Sequence, residues 1–380
     1  MVRIFTACHG TQLLVIQHLR GHLQLPSARE FLIWHPFDQT TSIEAFMQSI
    51  IPAAGFTDTL DIRDFESLKP RSQGQLTWWL ESVRRLATDA ATVRRWMESN
   101  RIVEHDVELW ADDPIHFNVI FPRGVLRKAR HVKIPHCFNH EDATVPESKE
   151  RFEKQWRDRS WSRRLFFLPW QRWMSGVDLR MEHILYDRAY TFDQPSTWAA
   201  KSVDVSHLIS LKAFDETFQT LPASARTDVE KILGPIRAGR RPLVILLLFG
   251  LGSGPELRRL YETSVSRIFS DRSSELNGCS LAVKVHPAAN GAEEQVFIDW
   301  LKANIPAEIH PIFHPLNLEF MLPRLKPDYV LAGLCGALPI IRRLKLARPV
   351  ALSELTDAYL HEHPNERQAI GKFLHGIEVW

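Results

Sequence analysis

The chain has 380 residues, of which 44% are hydrophobic and 24% charged, and its formal net charge is +2. This composition indicates a globular protein with room for two domains and excludes a disordered or fibrous chain. The small net charge gives no support to nucleic-acid binding. The four cysteines lie far apart, with neither a CxxC pair nor zinc spacing, which favours a reducing cytoplasm over a disulfide framework.

Short apolar strands alternate with amphipathic helices along the first part of the chain. Strands of this kind, separated by helices, indicate βαβ units and a parallel sheet. The predicted strands are 2–7, 30–36 and 107–112, and the predicted helices are 11–22, 42–51 and 76–99. An irregular insertion rich in Arg and Trp follows at about 128–200.

A second α/β pattern follows a predicted linker at 234–242, which opens with Gly-Pro and closes with Pro. Its first strand, 243–250, is intensely apolar but too short to cross a bilayer, so it is predicted as a buried parallel strand. The predicted domains are therefore an N-terminal Rossmann-like domain, a C-terminal Rossmann-like domain and a final helix that packs back on the N-terminal domain. Their respective bounds are 1–236, 237–358 and 359–380.

The stretch LAVKVHPAAN contains the first candidate site, at the end of the strand 280–287. Side chains alternate along a strand, so Lys284 and His286 lie on one face, and Pro287 stops the pairing. Ligands of open parallel sheets bind beyond the carboxyl ends of the strands, so this pair would face a phosphate leaving group. The chain contains five His-Pro pairs, however, and a histidine bonded to a backbone carbonyl is an equal alternative.

Two adjacent carboxylates, Asp112 and Asp113, end the strand 107–112. Neighbouring residues of a strand point to opposite sides, which leaves one carboxylate facing the cleft. There it could act as a general base on a sugar hydroxyl. The alternative is an Asx turn or a helix N-cap before Pro114.

Two turns and one helix start in the second half offer groups for a nucleotide. Backbone N–H groups at a helix start could hold a phosphate, a glycine-rich turn could let one approach, and Glu319 could accept from a ribose hydroxyl. The alternatives are a plain helix start, an acid that stabilises the helix dipole and a tight βα connection. The candidate residues in the two turns are Cys335, Gly336, Ala337, Gly252, Ser253 and Gly254.

The segment 151–173 carries seven Lys or Arg residues with four tryptophans between them. Such a mixture can stack on sugars, attract an anionic glycan or lie at a membrane surface. A helical hairpin with tryptophans in its core is the alternative. Arg163, Arg164 and Trp170 are the acceptor-binding candidates. The nearby 133–142 collects His, Cys and acidic residues, but its proline opposes the helix that a metal site would need, so no metal site is predicted.

The order of these motifs resembles that of the bacterial sialyltransferases and polysialyltransferases of the two-Rossmann-domain type. ADDP, VKVHP, PLNLE and GLCGA occur in the family's order and at similar separations, and IFTACHGTQLLVIQ resembles its opening strand, turn and helix. The chain departs from the pattern in two places. Pro114 stands where glycine is usual, and Cys335-Gly336-Ala337 replaces a Ser/Thr pair.

The resemblance implies an α/β protein of the GT-B class, with two Rossmann-like domains facing across a cleft. It implies an inverting, metal-independent transfer of sialic acid from CMP-sialic acid, with Asp112 or Asp113 as general base and His286 as general acid or phosphate stabiliser. Glu319 would bind the ribose of CMP. The loop 335–337 would bind the phosphate, and Lys284 would help to bind that phosphate. Gln12, which directly follows the opening turn, joins the acceptor-binding candidates.

The implied partners are a nucleotide-sugar donor and a glycan acceptor of the capsule or lipopolysaccharide, with neither a cofactor nor nucleic acid. The expected location is the cytoplasm, with or without peripheral contact to the inner membrane. Two alternatives stay open. One is a GT-B transferase with another donor, such as CMP-Kdo or a CDP-polyol, and the other is a catalytically silent protein that binds glycans.

Overall fold

The computed structural model describes most of the second half of the chain and parts of the first. Its residues form two compact units, Met1–Asp38 with Ala54–Leu208 and Gln39–Ala53 with Ile209–Trp380. The described residues are 1–7, 10–34, 41–62, 88, 91–111, 128–135, 187–191, 203–205, 210–249, 254–286, 289 and 291–380.

Seven parallel strands make the sheet of the first unit. Their order is β3-β2-β1-β4-β5-β6-β7, so the sheet grows outward in both directions from β1. Helix α1 (Gly10–His22) follows β1, and residues 91–99 are helical ahead of β4. The strands are β1 (Val2–Ala7), β2 (Arg29–Trp34), β3 (Asp58–Asp61), β4 (Val107–Ala111), β5 (Arg130–Lys133), β6 (Arg188–Thr191) and β7 (Val203–Val205).

Strand β1 is buried along its whole length, yet it contains a charge at Arg3. The guanidinium lies between two carboxylates in register with it, Glu30 of β2 at 2.6 Å and Glu108 of β4 at 3.3 Å. A buried charge is tolerated in a protein when charges of opposite sign pair with it and hydrogen-bond to it, as these two carboxylates do. The central position of β1 is therefore compatible with its sequence.

Six parallel strands make the sheet of the second unit, in the order β10-β9-β8-β11-β12-β13. The strands are β8 (Leu243–Leu248), β9 (Ser280–Val285), β10 (Glu308–Ile312), β11 (Tyr329–Ala332), β12 (Arg348–Ala351) and β13 (Glu378–Val379). The helices are α2 (Thr41–Ile50), α3 (Leu211–Thr220), α4 (Ala223–Ala238), α5 (Pro255–Asp271), α6 (Ser273–Leu276), α7 (Ala292–Asn304), α8 (Leu318–Leu325), α9 (Ala337–Leu344), α10 (Ser353–Glu362) and α11 (Arg367–Phe373).

Both sheets have the strand order of a Rossmann fold. The chain starts at a central strand, adds two strands on one side, and then crosses once to add the remaining strands on the other side. The switch lies between β1 and β4 in the first unit and between β8 and β11 in the second. The predicted fold class, α/β with two Rossmann-like domains, is confirmed, and these are the two components of a GT-B protein. Within the described part of the chain, no helix has both the length and the apolar character to cross a membrane.

The predicted linker at 234–242 is wrong over its first half, because residues 234–238 are the last part of α4. Gly-Pro usually interrupts a helix, and Pro235 does lie inside this one. However, the buried face of α4 continues through Leu233 and Ile236 and packs against α2 and α8. Tertiary packing here outweighs the local preference of the proline, and the units divide at Leu208 rather than at residue 236.

The C-terminal segment 359–380 belongs to the second unit. Its last strand, β13, pairs with β12, and Trp380 is buried with its ring 5.2 Å from that of Tyr329. The sequence predicts a final helix over this segment that packs back on the N-terminal domain, and that packing stays a prediction. Backbone pairing and burial of a large indole explain why the segment stays with its own sheet.

Candidate functional site

The carboxyl edge of the second sheet brings together the ends of β8, β9, β10 and β11. Lys284 of β9 is in register with Leu247 of β8 on one side and Ile312 of β10 on the other. Leu247 is in turn in register with Ala332 of β11. Residues that follow these strands in sequence are therefore neighbours in space, at the edge where open α/β sheets bind ligands.

Lys284 is a buried lysine, 5% exposed, and is the penultimate residue of β9. Its Nζ donates a hydrogen bond to the carbonyl oxygen of Val285 at 2.7 Å. Burial lowers the pKa of the ammonium to about 7, and the nearby carboxylate of Glu319 opposes this shift. Lys284 consequently changes charge close to neutral pH, which an exposed lysine does not do.

Glu319 lies in the first turn of α8 and is also buried. Burial raises the pKa of its carboxyl group, whereas its own backbone N–H and the charge of Lys284 lower it. The two buried groups thus lie close enough to interact electrostatically. A ligand that offers an acceptor to the ammonium and hydroxyl donors to the carboxylate would satisfy both.

His314, which follows β10, is a site residue that the sequence motifs do not single out. Its Nδ1 accepts a hydrogen bond from the backbone N–H of Leu316 at 3.1 Å, so the neutral ring carries its proton on Nε2. Burial, and then the charge of Lys284, lower its pKa to about 4, against the effect of Asp228. The ring of Phe46, from α2, packs edge-on at 5.0 Å. His314 is therefore a neutral hydrogen-bond donor at physiological pH.

A hydrogen bond within the backbone joins the loop after β11 to the start of α9. The carbonyl oxygen of Cys335 accepts a hydrogen bond from the backbone N–H of Leu338 at 3.1 Å. Burial raises the pKa of the thiol to about 11, so the neutral thiol is the form present. The backbone of Cys335 thus satisfies one N–H donor at the start of α9, a helix that has no side-chain cap. Gly336 and Ala337 of this loop are half-buried.

His286 is exposed directly after β9, as its strand-end position predicts. Its carbonyl accepts from the backbone N–H of Ala289 at 3.0 Å. Its imidazole meets the ring of Phe249 at 4.7 Å, nearly perpendicular. Gly254, at the start of α5, has φ +139°, a conformation that side chains rarely adopt. This glycine is therefore required by the backbone of the turn.

Several predicted site residues lie outside the residues that the structure describes. They are Asp112, Asp113, Arg163, Arg164, Trp170, Gly252, Ser253 and Pro287. Gln12 is described, and its side chain is fully buried at the start of α1. Where the structure describes the chain, no three His, Cys, Asp or Glu side chains are grouped as a metal site would need, and a metal-free site stays a prediction.

Comparisons with known proteins give likenesses of fold. No protein-family model matches the chain, and a search of curated proteins found no match. Among solved structures, S. aureus MnaA with UDP has a TM-score of 0.47 at 9% identity, covering 92% of this chain and 78% of its own. The UDP-GlcNAc 2-epimerase of Neisseria meningitidis, bound to UDP-GlcNAc, has 0.48 at 8%, covering 100% and 94%. The GT-B domain of a sialyltransferase from Photobacterium damselae has 0.44 at 12%, covering 92% and 90%. At these values neither an activity nor a ligand follows from them.

Proposed function

We propose that this chain is an inverting glycosyltransferase that transfers sialic acid from CMP-sialic acid to a glycan of the capsule or lipopolysaccharide, without a metal ion. The observation that carries the proposal is the grouping of Lys284, Glu319 and His286 at the carboxyl edge of a Rossmann-like sheet. A buried ammonium, a buried carboxylate and an exposed imidazole match the phosphate, the ribose diol and the leaving-group oxygen of a nucleotide sugar.

In the proposed reaction an acceptor hydroxyl attacks the anomeric carbon of the donor. The bond from that carbon to the phosphate oxygen breaks, its electron pair stays on CMP, and the configuration inverts. Asp112 or Asp113, which come directly after β4 in sequence, takes the hydroxyl proton as general base. His286 donates to the departing phosphate oxygen, and Lys284 stabilises the charge that develops there.

Other donors of the same chemistry, CMP-Kdo or a CDP-polyol, would use the same groups. A second candidate function is a glycan-binding protein without turnover, and one observation favours it. The backbone N–H of Leu338, at the start of α9, donates to the carbonyl of Cys335 at 3.1 Å, so a phosphate would have to compete with that carbonyl for this donor. In the catalytic proposal Lys284 compensates for this loss.

The affinity for CMP is expected to fall as the pH rises. Lys284 binds phosphate as an ammonium, and with its pKa at about 7 the charge is lost as the pH passes through 7. Between pH 7 and 9 the phosphate of CMP is already doubly charged, so it contributes no titration of its own. Isothermal titration calorimetry should show a Kd that rises by up to about tenfold per pH unit in this range.

Two variants make this measurement specific. Lys284→Met should bind CMP weakly and without the pH dependence, whereas Lys302→Met, an exposed lysine of α7 paired with Asp299, should behave as the unchanged protein. A CMP affinity that is independent of pH, or unchanged in Lys284→Met, would contradict the assignment of Lys284.

A further inference from the structure

Phe249 is a large apolar side chain that is 60% exposed at the carboxyl edge of the second sheet. It directly follows β8, as His286 directly follows the neighbouring strand β9. The two rings meet with centroids 4.7 Å apart and planes at 87°. A single exposed apolar residue is ordinary on a protein surface, but this one contacts the imidazole of the proposed leaving-group acid.

The backbone that carries Phe249 is fixed by a buried tyrosine. The Phe249 N–H donates to the hydroxyl of Tyr261 at 3.2 Å, and this hydroxyl donates to the carbonyl of Leu247 at 3.4 Å. Tyr261 is buried on α5, and burial raises the pKa of its phenol, so it stays a neutral donor. These hydrogen bonds hold the backbone at Phe249 in place. Such preorganisation lowers the entropic cost of binding a ligand on the exposed ring.

We propose that Phe249 is a platform for a sugar ring, on which the apolar C–H face of a pyranose stacks beside His286. The proposal rests on the proposed function, because it takes the sugar to be that of the donor or of the acceptor. An aromatic ring supplies a large, rigid apolar area at little cost in side-chain entropy. Lys284 lies on the neighbouring strand β9, and His314 follows β10, one strand further from β8. The Phe249 ring adds the apolar contact that these hydrogen-bonding groups lack.

The test compares Phe249→Ala with Phe249→Trp in steady-state transfer. Burying the exposed part of a phenylalanine is worth about tenfold in affinity, so KM for the stacking sugar should rise about tenfold in Phe249→Ala and recover in Phe249→Trp. Separate titrations of donor and acceptor show which of the two sugars stacks. CMP affinity should not change. Val296→Ala, an exposed apolar residue of α7, is the matched control.

Two results would overturn the platform. One is a wild-type KM for both donor and acceptor in Phe249→Ala, and the other is a loss of CMP affinity, which would place the nucleotide on the ring. Absence of both CMP binding and transfer in the unchanged protein would refute the proposed function instead. Direct binding to a panel of oligosaccharides would then decide on Phe249, since binding that is equal in Phe249→Ala refutes the platform and binding that is lost supports it.

Discussion

Replacement of Phe297 by alanine is expected to lower the free energy of unfolding by about 3–5 kcal/mol. The side chain is fully buried on α7, in the core formed with Tyr261 of α5 and with strands β8 and β9. Its ring lies 5.9 Å from Tyr261 and 5.7 Å from Trp300. The substitution removes apolar surface from the core and leaves a cavity that helices anchored on a sheet cannot close.

Urea denaturation followed by circular dichroism measures this effect through the midpoint of the transition. The neighbouring residue provides the control, because Val296 is exposed and its replacement by alanine should change the stability by less than about 0.5 kcal/mol. A loss below 1 kcal/mol in Phe297→Ala would mean that α7 does not pack on the sheet as described. The same core supports Tyr261 and hence the end of β8.

Replacement of His286 by alanine is expected to reduce kcat for sugar transfer by about 10²–10⁴-fold. The imidazole is the proposed donor to the departing phosphate oxygen, and an alanine leaves that oxygen without a proton source. The melting temperature should hardly change, because the side chain is exposed. CMP binding should persist, since Lys284 and Glu319 are untouched.

The chain offers a matched control in another of its His-Pro pairs. His363 is exposed between α10 and α11, with its ring 4.6 Å from that of Tyr359, and its replacement by alanine should leave transfer unchanged. Equal turnover in the His286→Ala and unchanged proteins would remove His286 from the reaction. Glycan binding in the absence of any turnover, before and after the substitution, would instead favour the silent binding protein.

The fold could be predicted from the sequence to the extent that local patterns determine it. The apolar run 2–7 is β1 itself, and the alternation of strands and helices gave the parallel sheets. The helix across Gly234-Pro235 and the two-residue strand β13 could not be predicted, because packing partners distant in sequence stabilise them. The assignment of Gln39–Ala53 to the second unit is likewise a property of tertiary contacts.

The site was partly predictable for a related reason. Alternation along a strand places Lys284 and His286 on one side, and the position of Glu319 early in a helix follows from PLNLE. His314 and Phe249 were missed because their importance depends on strand order. Only when β10 and β8 flank β9 do the residues after those strands adjoin Lys284 and His286. An aromatic residue at the end of LVILLLF, directly before a glycine turn, was the available signal for Phe249.

The loop at Cys335 shows how one replaced residue type changes a site. A Ser or Thr hydroxyl both donates and accepts, whereas a thiol is a weak donor. Here the half-buried Cys335 stays a neutral thiol, because burial raises its pKa to about 11, and the Leu338 N–H at the start of α9 donates to the Cys335 carbonyl. Stabilisation of an anion is then left to Lys284 and to the imidazole of His286, which makes these two residues more important to the proposed reaction.

The most direct test of the account is a transfer assay with a panel of donors in excess EDTA. Purified protein is incubated with an oligosaccharide acceptor and CMP-sialic acid, CMP-Kdo or a CDP-polyol, and both released nucleotide and elongated glycan are measured. The account predicts transfer from CMP-sialic acid at a rate that EDTA does not change. Absence of turnover with CMP-sialic acid, or transfer that EDTA abolishes, would contradict it.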